Sequence, residues 1–230
     1  MGTTNSLQAS RLEAGAYQTA GAIEPKVAAT EQAFALFCPG GDRVVTWGYP
    51  PHGGDSSKVQ SQLKGVQQLK ATSSAFAAVL ADGSVVTWGY PPHGGDSSKV
   101  QSQLKGVQQV KATSSAFAAV LADGSVVTWG YPLHGGDSSE VQHQLKGVQQ
   151  VKATSSAFAA VLADGSVVTW GYPPHGGDSS KVHHQLKGVQ QVKATSSAFA
   201  AVLADGSVVT WGYPPHGGDI SAVAAQLAHV

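Results

Sequence analysis

One block of sequence recurs along almost the whole chain with few changes. Its tryptophans stand 41 positions apart, and they are Trp47, Trp88, Trp129, Trp170 and Trp211. A strict period of this length is typical of repeat proteins, in which each unit buries its apolar surface against its neighbours. The sequence therefore predicts a single array of stacked units rather than two independent domains.

The array does not include the beginning of the chain. Residues 1–24 carry no copy of the repeat and are rich in Ala, Gly, Ser, Thr and Gln, a composition that predicts a flexible N-terminal tail. Residues 25–230 are predicted to form one domain of five units.

Each unit contains three predicted strands and one short predicted helix. In the second unit, 66–72 and 75–80 favour strands, and apolar residues on both faces of 75–80 indicate a strand buried on both sides. Asp82-Gly83 predicts a tight type I′ hairpin turn before a third strand at 85–88. Asp55 as an N-cap and Gly65 as a stop predict a helix of two to three turns between them.

These elements predict a mainly β fold with short helices. The chain holds five strand sets and five helices, and its first strands and last helix would meet if the array closed on itself. We therefore expect a closed five-bladed, propeller-like ring. The alternative is an open solenoid, whose end units diverge because they act as caps.

The composition narrows the choice of partners and compartments. The formal net charge is +0 and only 12% of residues are charged, so nucleic acid is not expected to bind. Cys38 is the only cysteine, which excludes an internal disulfide. No apolar run is long enough to cross a membrane, and the first 25 residues do not resemble a secretory signal. A cytoplasmic or nuclear location is expected.

The most polar and irregular part of each unit is the heptapeptide Tyr-Pro-Pro-His-Gly-Gly-Asp, called the histidine loop below. Loops on a rigid scaffold commonly carry function, so its tyrosine, histidine and aspartate are the candidate ligand-binding residues. They are Tyr49, His52, Asp55, Tyr90, His93, Asp96, Tyr131, His134, Asp137, Tyr172, His175, Asp178, Tyr213, His216 and Asp219.

Catalysis and metal binding are not expected at these loops. His93, Asp96 and Ser97 are close in sequence, but the last two are good helix caps, and a catalytic triad is usually assembled from distant segments. The single histidine in each loop lacks a nearby HxH or CxxC pair that would organise a metal site. The sequence predicts a protein without catalytic activity, metal or cofactor.

The repeated tryptophans have two interpretations. As large apolar side chains they are expected in the core. The alternative is an exposed Trp-Gly-Tyr shelf that binds a sugar in each of five units.

Part of the repeat resembles that of the regulator of chromosome condensation family. The similar segments in the third unit are 107–113, 116–120, Asp123-Gly124 and 126–130, the last ending in Trp129-Gly130. The resemblance implies a β-propeller that serves as a binding platform, in a family that includes an exchange factor and parts of HECT-type ubiquitin ligases. The unit here is about ten residues shorter, and nothing matches a HECT domain or the wedge of the exchange factor.

Together these observations predict a non-catalytic, multivalent platform that binds a protein through histidine loops on one face. A five-site lectin that binds glycans is the alternative. A second alternative is a fragment of a ubiquitin ligase or exchange-factor-like protein that lacks the catalytic part. A monomer is expected.

Overall fold

The computed structural model describes residues 24–227, which form five three-stranded antiparallel sheets. In each sheet the strands lie in chain order, so the second strand is always central. The predicted mainly β repeat fold with three strands in each unit is confirmed. The tail predicted for residues 1–24 lies almost wholly outside the described residues.

The strands and helices have the following bounds. Units one and two contain β1 (Lys26–Ala29), β2 (Ala33–Phe37), β3 (Val44–Gly48), β4 (Val66–Ala71), β5 (Ala75–Leu80) and β6 (Val85–Gly89). Units three to five contain β7 (Val107–Ala112), β8 (Ala116–Leu121), β9 (Val126–Gly130), β10 (Val148–Ala153), β11 (Ala157–Leu162), β12 (Val167–Gly171), β13 (Val189–Ala194), β14 (Ala198–Leu203) and β15 (Val208–Gly212). Helix α1 spans Ala224–Leu227, and 3-10 turns span Pro50–His52, Gln60–Gln62, Pro91–His93, Pro132–His134, Gln142–Gln144, Pro173–His175, His183–Gln185, Pro214–His216 and Ser221–Val223.

The hairpin at Asp82-Gly83 forms as predicted, but its turn type differs from the prediction. Gly83 N donates to Leu80 O at 3.0 Å, and Leu80 N donates to Ser84 O at 2.9 Å. These bonds define a three-residue loop in which Gly83, at φ 76, supplies the left-handed position. The expected two-residue type I′ turn is therefore wrong. The Asp82 carboxylate accepts bonds from both the backbone and the hydroxyl of Ser84, which stabilises the longer loop.

The predicted helix between Asp55 and Gly65 is also wrong, because only one 3-10 turn forms there, at Gln60–Gln62. In the second unit, side-chain hydrogen bonds hold the equivalent segment against the sheet. The Gln101 side chain donates to Val85 O at 2.9 Å and accepts from Ser97 Oγ at 2.8 Å. These bonds tie the segment to the third strand and replace the backbone bonds of an α-helix.

Neighbouring units pack through a small-residue face against a large-residue face. Between units two and three, Ala75, Ala77, Val79 and Val85 meet a surface that contains Val110, Phe117, Val127 and Trp129. The same arrangement recurs at all four junctions, from unit one against two to unit four against five. The expectation that the second strand is buried on both faces is confirmed for the interior units.

A tryptophan, a phenylalanine and a glycine lie at the centre of each junction. Trp129 stacks on Phe117 with ring centroids 5.1 Å apart, and its indole Nε1 donates to Gly94 O of the preceding unit at 3.1 Å. Gly94 has a φ of 93°, and a Cβ built there would lie 2.5 Å from Phe117 Cδ2. Only glycine allows this approach. Trp88, Trp129, Trp170 and Trp211 are all buried, so the core interpretation is confirmed for these four.

The units curve around a common axis. The threonines that follow the first strand in units one to four, Thr30, Thr72, Thr113 and Thr154, line one central opening of about 410 Å³. Backbone bonds join these segments in series, since Ser73 N donates to Ser114 O and Ser114 N to Ser155 O, both at 2.8 Å. Burial and the nearby ammonium groups of Lys70 and Lys152 lower the pKa of Lys111, as expected where inner strands converge.

The described residues form an open arc rather than the closed ring expected from the unit count. Among residues 24–227, no apolar cluster joins unit five to unit one. The outward surface of unit one, the head face, exposes Val27, Phe34, Val45 and Trp47. The outward surface of unit five, the tail face, is formed by Ala200, Val202, Val208, Gly217 and Val223, none of which is buried. The structure thus combines propeller-like curvature with the two free ends of the open alternative.

We predict that the indole hydrogen bond stabilises the array only where a preceding unit is present. Replacing Trp170 by Phe leaves Gly135 O without its partner and should lower the free energy of unfolding by roughly 2–3 kcal/mol. The matched change Trp47→Phe should cost less than about 1 kcal/mol, because Trp47 lies on the exposed head face. Urea unfolding of both variants measures the difference, and equal costs would contradict this role of the indole.

Glycine contacts between units give a second prediction. Gly135→Ala places a Cβ 2.5 Å from Phe158 Cδ2 at φ 92, whereas Gly217→Ala at φ 96 meets no atom within 4 Å. Both variants carry the left-handed backbone strain of roughly 1–2 kcal/mol. Gly135→Ala should lose roughly 2 kcal/mol more because the junction must open. Thermal and urea unfolding check the difference, and equal stability of the two variants would rule out the proposed close packing.

Candidate functional site

Each histidine loop is a rigid corner that follows the third strand of its unit. In the second unit, Tyr90 N donates to Ser74 O at 2.8 Å, and Gly95 N donates back to Tyr90 O at 3.0 Å. The two prolines begin a 3-10 turn that ends at His93, and Gly94 follows in the left-handed conformation. The loop geometry is nearly the same in all five units, so each loop is fixed by its own sequence.

The tyrosine and histidine of each loop form an edge-to-face pair with ring centroids 5.0 Å apart. His93 Nδ1 lies 3.2 Å from Ser74 Oγ, and His93 O accepts from Thr72 Oγ1 at 3.1 Å. The histidine is therefore held by its own unit and supports the tyrosine ring. The five tyrosines are between 39% and 51% exposed, which leaves one face of each ring available to a ligand.

The first loop lacks one of these supports. Gln32 occupies the position that Ser74 has in the second unit, and His52 Nδ1 has no hydrogen-bond partner among residues 24–227. Its ring still packs against Tyr49. The backbone of His52 is also held, because its carbonyl accepts from Thr30 Oγ1 at 3.2 Å.

Neighbouring loops lie side by side. The rings of His52 and Tyr90, from successive loops, have centroids 6.2 Å apart. Burial lowers the pKa of His134, and His93 and His175 on either side lower it further. Burial followed by the proximity of His52 lowers the pKa of His93 in the same way. The loops of the interior units therefore form a continuous row of histidines and exposed tyrosines.

The aspartate of each loop has a structural contact. Asp96 Oδ1 accepts from Ser98 N at 2.8 Å, and this bond is the main cause of the lowered pKa of Asp96. The equivalent backbone bond lowers the pKa of the other four loop aspartates, Asp55, Asp137, Asp178 and Asp219. The capping contact expected from the sequence is therefore present, although no α-helix follows it.

The histidine, aspartate and serine of one loop do not assemble into a catalytic group. His93 faces Ser74, Asp96 faces the Ser98 backbone, and Ser97 Oγ lies 3.0 Å from Thr87 Oγ1. Ser74 is only 4% exposed, so a substrate could not reach its hydroxyl without movement of the loop. Among the described residues, no three His, Cys, Asp or Glu side chains are placed to hold a metal ion.

A groove that the sequence did not predict lies between successive loops. We call it the proline groove. One wall carries the two loop prolines and a half-buried valine, and the other carries the threonine, tryptophan and glycine of the next third strand. Three copies have volumes of about 400, 490 and 560 Å³. The recurring Val59, Val100 and Val141 are the sequence signal that could have indicated this groove.

The largest groove also differs in its chemistry. Leu133 replaces a proline and is 63% exposed at its edge, and Glu140 replaces the lysine of the two preceding grooves. Asp137 and Asp178 also line it. This groove is therefore more acidic than the two before it, which pair Asp55 with Lys58 and Asp96 with Lys99.

No helix within residues 24–227 is long and apolar enough to cross a membrane.

Comparison with known proteins identifies the fold but no family. No protein-family model matches the sequence, and no curated protein matches it significantly. Among solved structures, Prp20p of Saccharomyces cerevisiae is similar with a TM-score of 0.53 and 17% identity, over 81% of this chain and 56% of that chain. Yeast RCC1 (Prp20) bound to Kap60 gives a TM-score of 0.51 and 16% identity, over 81% and 55%.

Human WBSCR16 is also similar, with a TM-score of 0.49 and 17% identity over 79% of this chain and 59% of that chain. The chain thus spans little more than half the length of these three structures. At these identities the similarity concerns the fold. The resemblance seen in the repeat sequence is supported to that extent, because the five units have a propeller-like fold shared with yeast Prp20.

Proposed function

We propose that the chain is a non-catalytic, multivalent platform that binds protein partners through its row of histidine loops. The observation that carries the proposal is the exposure of all five tyrosines on fixed loops, whereas the tryptophans of the interior units are buried. Tyrosine supplies a large contact area at a low cost in conformational entropy, and it is enriched at protein interfaces.

The proline grooves give a protein ligand a place to insert. A groove of roughly 490 Å³ lined by Pro91, Val100 and Trp129 has the size and mixed apolar lining of a site for one or two side chains. Tyr131 stands at its edge. An extended peptide that crosses the row would meet a tyrosine and a groove in each unit, and several weak contacts at fixed spacing add to a higher overall affinity.

The similar solved structures support a protein-binding function, but they do not identify the partner of this chain. The yeast structures were described with Kap60 bound, or with binding to Gsp1p and histones. These are protein partners of a propeller with the same fold. The formal net charge of +0 gives no general attraction to a nucleic-acid backbone. A protein partner in the cytoplasm or nucleus, bound by a platform that uses no cofactor, is the simplest form of the proposal.

The burial of the tryptophans argues against the alternative of a lectin that binds a sugar on exposed Trp-Gly-Tyr shelves. Trp88, Trp129, Trp170 and Trp211 are buried and donate their indole N–H to the preceding unit. In units two to five a sugar could therefore stack on the loop tyrosines but not on the tryptophans. Glycan binding remains an outcome that the experiment below distinguishes.

We predict that the tyrosines contribute most of the binding energy. Peptides selected from a displayed random 12-residue library on the wild-type chain should bind Tyr131→Ala about 5–30-fold more weakly, the loss of one aromatic contact. The triple replacement of Tyr90, Tyr131 and Tyr172 should abolish measurable binding. Isothermal titration calorimetry gives the affinities, with circular dichroism to verify the fold.

The control for this experiment is Gln108→Ala. Gln108 is an exposed residue near the start of β7, at the opposite end of the sheet from the loops, and its replacement should leave the affinity unchanged. If no peptide is selected but a glycan array gives signals that the tyrosine variants lose, the lectin function replaces the one proposed. Peptides that bind all variants equally would show that the loop row is not the binding surface.

A further inference from the structure

Large apolar side chains are exposed at only three places in the described part of the chain. The tyrosines and Leu133 belong to the histidine loops. The other six lie on the two end surfaces of the arc, and they are Val27, Phe34, Val45 and Trp47 on the head face and Val202 and Val223 on the tail face. Exposed apolar surface concentrated in this way is typical of an interaction site.

The head face is one half of the junction that the interior units make. Phe34 and Trp47 are already stacked, with ring centroids 5.3 Å apart, as Phe76 and Trp88 are at 5.1 Å. Trp47 is nevertheless 46% exposed, whereas Trp88 is 5% exposed. In the interior units the indole N–H donates to a glycine carbonyl of the preceding unit, but within residues 24–227 no unit precedes the first.

The tail face is the other half of the same junction. Gly176 and Gly217 have nearly the same φ, 93° and 96°, but Gly176 packs on Phe199 while Gly217 has no neighbour within 4 Å of a built Cβ. Val223 occupies the position of Val182, which packs partly buried in the junction between units four and five. The tail face therefore presents the glycine and valine that would cover a phenylalanine and a tryptophan.

The backbone at the two ends is complementary as well. Glu31 N donates to Ser73 O at 3.0 Å, and the last bond of this series is from Ser155 N to Ser196 O at 2.8 Å. In each bond the earlier unit donates and the later unit accepts. Within the described residues Ser196 N has no backbone acceptor and Glu31 O no backbone donor, so the series could continue from a tail face to a head face.

We propose that the tail face of one copy of this chain binds the head face of a second copy. In this contact Trp47 Nε1 would donate to the carbonyl of Gly217 of the partner subunit, with Phe34 against its α-carbon. A second copy is the proposed partner because the head face and the tail face are complementary but both remain exposed on a single arc. The four interior junctions provide the template for the contact. The inference rests on these junctions and is independent of the proposed partner-binding function.

A contact between two different surfaces leaves one free face at each end of every open assembly. Such heterologous contacts add further copies until a ring closes, or else form an open chain. Sedimentation velocity of the wild-type protein should therefore show a mass that rises with concentration beyond that of a dimer.

Single charges on either face should stop this growth. Val45→Glu places a carboxylate on the head face and Val202→Glu places one on the tail face, both at positions that are exposed in the single chain. Each variant should remain folded and sediment as a monomer, with the dissociation constant raised roughly tenfold or more. Leu133→Glu is the matched control, since this exposed residue lies on a histidine loop, and it should associate like the wild type.

Mixing the two variants tests the direction of the contact. The Val45→Glu chain keeps its tail face and the Val202→Glu chain keeps its head face, so an equimolar mixture should form dimers and stop there. Failure of the mixture to associate would overturn the proposal. A wild-type protein that stays monomeric at all concentrations would also overturn it, as would association lost in Val45→Glu but kept in Val202→Glu, which indicates a symmetric head-to-head dimer.

Discussion

The contact between a glycine of one unit and the phenylalanine and tryptophan of the next determines the rest of this structure. It requires a residue without a side chain in the left-handed conformation, as Gly94 is, and a carbonyl aimed at the indole of Trp129. That carbonyl follows the 3-10 turn that begins at the two loop prolines. The histidine loop is therefore part of the packing between units as well as a candidate for binding.

The sequence was sufficient to predict what depends on local patterns. The 41-residue period, the strands around Phe76 and Trp88 and the hairpin at Gly83 follow from spacing, from alternation and from the special backbone of glycine. The segment 55–65 was misassigned because Asp55 and Gly65 match the signals for the start and end of a helix, although Asp55 caps only a local turn. The deciding interactions, such as that of Gln101 with Val85 O, join residues far apart in the unit and leave no periodic signal.

The candidate site was predictable in part. Its residues could be selected from the sequence because they form the irregular, polar part of each unit. The separate structural role of each of these residues could not be predicted. The histidine and aspartate are engaged by serine and backbone groups, and the tyrosine is the member that presents an exposed aromatic ring. The proline grooves and the open ends depend on how whole units are placed relative to one another. The curvature of the array is the sum of small rotations between successive units. A repeat sequence specifies which residues meet at each junction more directly than it specifies the angle between the units.

Leu133 replaces a proline and Glu140 replaces a lysine, so one of the recurring grooves differs from the two before it. Identical sites in a row would let an elongated ligand slide by one unit and bind equally well in each position. One acidic, leucine-edged groove in the interior removes that degeneracy, because a ligand with a basic residue at the matching place gains energy in a single alignment. In the proposed binding function, this one groove would therefore set the alignment of an elongated ligand along the array.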